Sequence, residues 1–371
     1  MAAAQPHHRS TEFAAITHRA LDGLRWLWDT DDDVLLMAGS GTAGMEAALR
    51  SALEPSDRVV VVTGGKFAER WLSIVRLIGC TIHVLDVEWG RSASAADLET
   101  LIDETGVPTA LVCVASETST GALHPVADLI RTLRDHAPEA LAIVDGITAV
   151  GCADLSMRRD AIDVLVSGSQ KAFGLPPGAA AIGVSARAWE RIEETDAKNY
   201  YFDLRAERKQ TAKGQSAFTP PIPLVVGFAE VIDRWRKFSR EELFAHSETL
   251  AIGMRAAAAA LGLSLFAKDV ASPALTSIEI DGIDVEGMRA FMRDRLGVWV
   301  AGGQESAKGR VLRIGHLGAV DAFDIVQTVA ALEIALVEYG AEPKLGVGVS
   351  AALSAMQPRL ASAQNISTYN P

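Results

Sequence analysis

Seven short apolar runs, at residues 34–37, 58–63, 81–85, 110–115, 140–144, 163–167 and 180–184, most constrain what this chain can become. Val and Ile stand at adjacent positions in them instead of alternating with polar residues, which is how a strand reads when helices cover both of its faces. Helical patterns separate the runs, so the expected architecture is α/β, a seven-stranded and mostly parallel sheet wrapped by helices. A helix is expected first, over 11–28, where Phe13, Ile16, Leu21, Leu24 and Leu27 recur at helical spacing before the charged turn Asp29-Thr30-Asp31-Asp32-Asp33. The proline cluster Thr219-Pro220-Pro221-Ile222-Pro223 breaks this pattern and reads as a domain connection leading into a helical stretch that begins at Leu224. Helices over 240–261 and 322–339, with strands at 276–280, 298–300 and 311–314, then predict a smaller α+β domain. The expected division is an N-terminal segment 1–20, a large domain 21–238 and a small C-terminal domain 239–371. The last part of that domain, around Gly346-Val347-Gly348 and beyond, reads as a frayed end.

A chain of 371 residues with 49% hydrophobic and 22% charged residues can bury a large core, which excludes a mainly disordered protein. Lys and Arg total 35 against 47 Asp and Glu, a net charge of −12, and no basic run offers a footprint for nucleic acid. The most apolar long stretch, 251–266, contains Arg255 and is too short to span a bilayer, so no membrane segment is expected. Cys80, Cys113 and Cys152 have no C-x-x-C spacing and no neighbouring His cluster, which argues against a disulfide framework or a metal site. The N-terminal residues lack secretory or transit character, and the expected location is cytoplasmic.

Two constellations carry chemistry. Gly39-Ser40-Gly41-Thr42-Ala43-Gly44 follows the first strand and opens a helix, a literal G-x-G-x-x-G. A dinucleotide site would need an acidic residue at the end of the next strand, but that strand ends Thr63-Gly64-Gly65. What survives is a helix N-terminus whose free N–H groups, with the Ser40 and Thr42 hydroxyls, suit a phosphate; a plain glycine turn explains the motif equally well if it stands alone. The second constellation is Asp145 at one strand end and Lys171 just past another, both at the carboxyl edge where open α/β sheets bind ligands. An amine for a Schiff base, a carboxylate for a pyridine nitrogen and an anion cradle together suit pyridoxal 5'-phosphate.

These residues sit in blocks that resemble the class V aminotransferases of fold type I, specifically the alanine–glyoxylate and serine–glyoxylate branch. The blocks are Ser-Gly-Thr-Ala-Gly-Met-Glu-Ala-Ala at 40–48, Glu-Thr-Ser-Thr-Gly at 117–121, Val-Asp-Gly-Ile at 144–147, Ser-Gly-Ser-Gln-Lys-Ala at 167–172, Pro-Pro-Gly at 176–178 and Gly-Arg-Val-Leu-Arg-Ile-Gly-His-Leu-Gly at 309–318. They stand in family order and cover most of the chain. The resemblance implies that Lys171 forms the Schiff base and acts as the proton-transfer base, and that Asp145 holds the pyridine nitrogen. It implies phosphate contacts from Ser40, Gly41, Thr42 and Gln170, a hydroxyl beside the cofactor from Thr118, and Ile147 and Phe67 on the two ring faces, although Phe67 also reads as a core aromatic. Arg313 matches the arginine that grips the substrate α-carboxylate, for which a planar guanidinium suits better than lysine. His316 reads as packing. Thr219 resembles a residue that reaches the neighbouring subunit's phosphate, which implies a homodimer with active sites at the interface; Ser216 replaces the family's tyrosine and weakens one such contact.

The implied activity is transfer of an amino group from a small L-amino acid, such as alanine, serine or aspartate, to glyoxylate or pyruvate. Family members carry a Gly-Pro-rich segment before a His-Arg-Ser stretch, whereas His8-Arg9-Ser10 lies almost at the start here. Either the true start lies upstream or that wall of the substrate pocket is rebuilt. Cysteine desulfurases share the fold but need a nucleophilic cysteine in the C-terminal half, and all three cysteines precede Asp154. The competing readings are a pyridoxamine-type or other unusual amine aminotransferase, and a non-catalytic subunit that keeps the fold; the intact Lys171, Asp145 and Arg313 weigh against the second.

Overall fold

The computed structural model describes residues 4–196 and 199–360. After helix α1 (Thr11–Trp28) come β1 (Asp33–Ala38), β2 (Arg58–Val62), β3 (Thr81–Leu85) and β4 (Ala110–Val114). A two-stranded hairpin, β5 (Ser116–Glu117) and β6 (Ala122–Leu123), precedes β7 (Leu141–Asp145), β8 (Val164–Gly168) and β9 (Ala179–Val184). Seven of these form one sheet in the order β1-β9-β8-β7-β4-β2-β3. Only β9 runs against its neighbours, so β1, β2, β3, β4, β7 and β8 all bring their carboxyl ends to one edge.

The adjacent Val and Ile residues have a simple structural reason. Val59 and Val61 enter one hydrophobic core while Val60 and Val62 enter the other, and Ile143 and Val144 divide in the same way. A two-residue side-chain period with apolar layers on both faces leaves no solvent side for polar residues. One layer includes α2 (Gly41–Ala52) and α3 (Lys66–Ile78); the other includes α1, α4 (Ala95–Thr105) and α5 (Val126–His136). Helices α6 (Ala186–Glu194), α7 (Leu204–Thr211) and α8 (Ile222–Trp235) follow, and α8 packs on α1 through Phe228 and Ile232. Helix α1 runs unbroken through residue 20, and Phe13 and Ala20 join the same core as Leu24, so 11–20 pack with the sheet and not as a separate segment.

Helix α9 (Arg240–Ala260) starts at a Ser239 capping box and leads to a second, antiparallel sheet. It is built from β10 (Ser264–Leu265), β11 (Leu275–Glu279), β12 (Ala301–Gly302) and β13 (Val311–Gly315), in the order β10-β11-β13-β12. Ile278, Leu312 and Ile314 face a third core made with α9, α10 (Val285–Leu296), α11 (Ala322–Glu338) and α12 (Val347–Leu360). Ser277 and Arg313, paired across β11 and β13, take the other face.

Three expectations need correction. The strand expected at 298–300 lies at Ala301–Gly302, displaced because its pairing with Arg313 and Leu312 sets the register. Helix α10 occupies residues for which no element was expected. The frayed end is, over Val347–Leu360, a helix packed on α9. The buried Glu333 carboxylate accepts from the N–H groups of Gly346 and Gly348, both at 2.6 Å, which satisfies the free donors at that helix start. Residues 361–371, the rest of the expected tail, lie outside the described residues. Among the described residues no helix is long and apolar enough to cross a membrane.

Candidate active site

The carboxyl edge of the large sheet gathers most of the expected residues. Asp145 ends β7 and is buried. Its Oδ2 accepts from Trp71 Nε1 at 3.0 Å and its Oδ1 from the Ile147 backbone N–H at 2.8 Å. Burial pushes the Asp145 carboxyl up to about 7, with these two donors pulling the other way. Lys171 follows β8, and burial holds its ammonium below the usual lysine range, aided by Arg313 and opposed by Asp145 and Glu117. Both groups are thereby moved toward their neutral forms.

Helix α2 starts at the same edge. Ser40 is its N-cap in extended conformation, but its hydroxyl makes no capping bond. A Cβ on Gly41 would lie 2.5 Å from Ile147 Cδ1, so only glycine lets the helix start approach Ile147 this closely. Thr42 Oγ1 accepts from Arg70 Nη1 at 2.7 Å, and the Arg70 guanidinium sits 5.0 Å from the centre of the Phe67 ring. Gln170 Oε1 is buried with no hydrogen-bond partner among the described residues.

Arg313 reaches this edge from the second sheet. Its Nε donates to the Gly302 carbonyl at 2.7 Å and its Nη1 to the Thr118 carbonyl at 2.9 Å, so one anchor comes from β12 and the other from the turn of the β5–β6 hairpin. Three of its five N–H donors remain for a ligand. The Thr118 hydroxyl lies 2.8 Å from that of Thr148. Thr219 is exposed and lines a small cavity with Met37, Ala38, Glu207, Ser216 and Phe218. His316 is packing, with Nδ1 2.9 Å from the Pro273 carbonyl and Nε2 2.8 Å from the Thr276 hydroxyl; burial pushes it down to about 4.

The profile of the family Aminotransferase class-V matches residues 2–325. The chain belongs to the class-V aminotransferases. It is 36% identical over 349 residues to the soluble hydrogenase 42 kDa subunit of Anabaena cylindrica, covering 93% of this chain and 91% of that one. It is 31% identical over 363 residues to the L-aspartate–glyoxylate aminotransferase of Paracoccus denitrificans, covering 96% and 92%. Among solved structures, ureidoglycine–glyoxylate aminotransferase from Bacillus subtilis matches with a TM-score of 0.91 at 26% identity, over 96% of this chain and 93% of the other. Alanine–glyoxylate aminotransferase from Nostoc sp. matches with a TM-score of 0.86 at 27% identity, over 90% of each. The chain is therefore an aminotransferase of the alanine/serine–glyoxylate type.

Several residues of this aminotransferase's site were not singled out by sequence. Trp71 bonds Asp145 and Glu117 is fully buried beside it, while Ser119 and Thr148 complete the polar contacts around Glu117 and Thr118. Trp71 lies four residues after Phe67 on α3, one turn along the same face, and that spacing was the available signal. For Glu117 the signal was a lone carboxylate in an otherwise small and hydroxylated stretch running from Ala115 to Gly121.

Proposed function

We propose that this aminotransferase uses pyridoxal 5'-phosphate to move an amino group from a small L-amino acid, such as alanine, serine or aspartate, to glyoxylate or pyruvate. The observation that carries the reading is Asp145, a buried carboxylate pushed toward neutrality on the same edge as Lys171 and the uncapped start of α2. A protonated ring nitrogen supplies the cation such a carboxylate lacks, and the family to which the chain belongs depends on this cofactor. The donor set fits the phosphate as well. Gly41 and Thr42 offer backbone N–H groups, Ser40 has a free hydroxyl, and turning the Gln170 amide would present its NH2 donors.

Bound there, pyridoxal phosphate supplies an electron sink for charge that builds up at the substrate Cα. Lys171 Nζ, its proton affinity lowered by burial, would be the attachment point and the base for the Cα proton. Asp145 would hold the proton on the ring nitrogen, Ile147 and Phe67 would cover the ring faces, and Thr118 would offer its hydroxyl. Arg313 binds the α-carboxylate with its remaining donors, which orients the Cα–H bond for proton loss in preference to decarboxylation. Thr219 serves the neighbouring subunit of a homodimer, in keeping with its exposed side chain in one chain. The same reading divides the chain near residue 238, the first part holding the cofactor and the second delivering Arg313. Three free thiols suit a reducing cytoplasm.

Protein saturated with pyridoxal phosphate is expected to show a visible absorption band that single amino acids bleach and glyoxylate or pyruvate restores. A second reading, a non-catalytic subunit, draws on the hydrogenase-subunit name of the Anabaena cylindrica relative. Saturated protein whose band no amino acid bleaches would favour it.

A further inference from the structure

The N-cap of helix α3, Gly65, has no side chain to cap it, and the first N–H groups of the helix need acceptors. They find them in a strand-end carboxylate 49 residues away in sequence. Glu117 Oε2 accepts from the Ala68 N–H at 3.1 Å, with the Phe67 N–H contributing as well. Glu117 Oε1 accepts from the Ser119 N–H at 3.0 Å and from the Ser119 hydroxyl at 2.6 Å. The same Ser119 Oγ accepts from the Lys66 N–H at 3.0 Å, so the first turn of α3 is held by one carboxylate and one hydroxyl. A Cβ on Gly65 would fall 2.3 Å from Glu117 Cγ; the missing side chain is what admits the carboxylate.

Helix α3 is also the element that carries Phe67, Arg70 and Trp71 into the site. We propose that Glu117 is a positioning residue: its carboxylate, clamped between the first turn of α3 and Ser119, fixes the helix that aims Trp71 Nε1 at Asp145 and presents Phe67 to the cofactor ring. The proposal rests on the pyridoxal phosphate reading of the site. A glutamine cannot replace the clamp, because it offers one acceptor oxygen, and its NH2 would face either the α3 N–H groups or those of Ser119, donor against donor.

The test compares wild type with Glu117→Gln by two readouts, after circular dichroism has shown that the variant is folded. One is the dissociation constant for pyridoxal phosphate, titrated by its visible band. The other is the indole N–H resonance of Trp71 in the cofactor-free protein, assigned with Trp71→Phe. Glu117→Gln is expected to weaken cofactor binding tenfold or more and to move the Trp71 resonance. Binding within twofold of wild type, or an unmoved resonance, overturns the proposal. Should Glu117→Gln fail to fold, Ser119→Ala removes one donor to the carboxylate and the Lys66 acceptor. It is expected to shift both readouts in the same direction by less, and no shift in either overturns the proposal. If the wild type itself takes up no pyridoxal phosphate, the reading of the site fails instead, and the Trp71 resonance of the cofactor-free variants still decides whether the clamp aims Trp71.

Discussion

Two buried glutamates do the same local work in different regions. Glu117 holds the start of α3 beside Asp145 and Lys171, and Glu333 holds the start of α12 within the third core. Each meets backbone N–H groups that a helix start leaves without partners, and each belongs to a different element from the helix it caps. The difference lies in what the capped helix carries. Helix α3 brings Phe67, Arg70 and Trp71 to the functional edge, whereas α12 contributes Ala352 and Met356 to a hydrophobic core. One capping device therefore serves geometry in the first region and stability alone in the second.

The comparison breaks if changes at the functional edge cost mainly stability, or if changes around Glu333 cost cofactor binding. The largest effect is expected from Lys171→Ala, which should lower turnover by about 10³-fold or more while leaving the melting temperature of the cofactor-free protein nearly unchanged. Steady-state kinetics beside thermal melts would show it, and retained turnover would remove the proposed mechanism. Arg313→Lys should lower kcat/KM for the amino donor by about 100-fold, roughly 2.7 kcal/mol, because a single ammonium cannot hold both carbonyl anchors and a carboxylate. Glu333→Gln should lower unfolding free energy by about 1–3 kcal/mol in denaturant titration and leave the pyridoxal phosphate dissociation constant as in wild type. A Glu333 variant that binds the cofactor as poorly as Glu117→Gln would end the distinction.

A further effect is a slope in pH. In the folded, cofactor-free protein the Asp145 carboxyl sits at about 7, above its ordinary 3.8, so the folded state keeps a proton that the unfolded chain has released. Its contribution to stability is full below about 4, falls as pH rises toward 7 and is level above that. Melts across this range should show a shallower decline in Asp145→Asn than in wild type. A decline of equal steepness in both proteins would mean that Asp145 is already ionised in the empty site.

Much of the site was legible for a topological reason. Parallel neighbouring strands bring their carboxyl ends to one edge, so a carboxylate and an amine at two such ends approach each other whatever path the connection between them takes. Asp145 and Lys171 could be paired on that basis, and the start of α2 joins them because β1 is parallel to β7 and β8. Trp71 and Glu117 were not legible in the same way. The bond from Trp71 to Asp145 spans 74 residues and that from Glu117 to Ala68 spans 49, and no local periodicity records a pairing across elements. Helix α12 was hidden by Gly346 and Gly348, which read as breakers until Glu333 of α11 meets their N–H groups.

The seven strands of the large sheet, its double-sided burial, the order of the motifs and the edge at which Asp145 and Lys171 meet were determined by the sequence alone, because each follows from side-chain period and chain direction. Only the tertiary structure decided that Trp71 answers Asp145, that Arg313 is held by a carbonyl of β12 and one of the β5–β6 turn, and that two glutamates cap helices to which they do not belong. Burial makes these partners necessary, since an N–H group or a carboxylate removed from water must find another polar group, and which one it finds depends on the packing of distant segments.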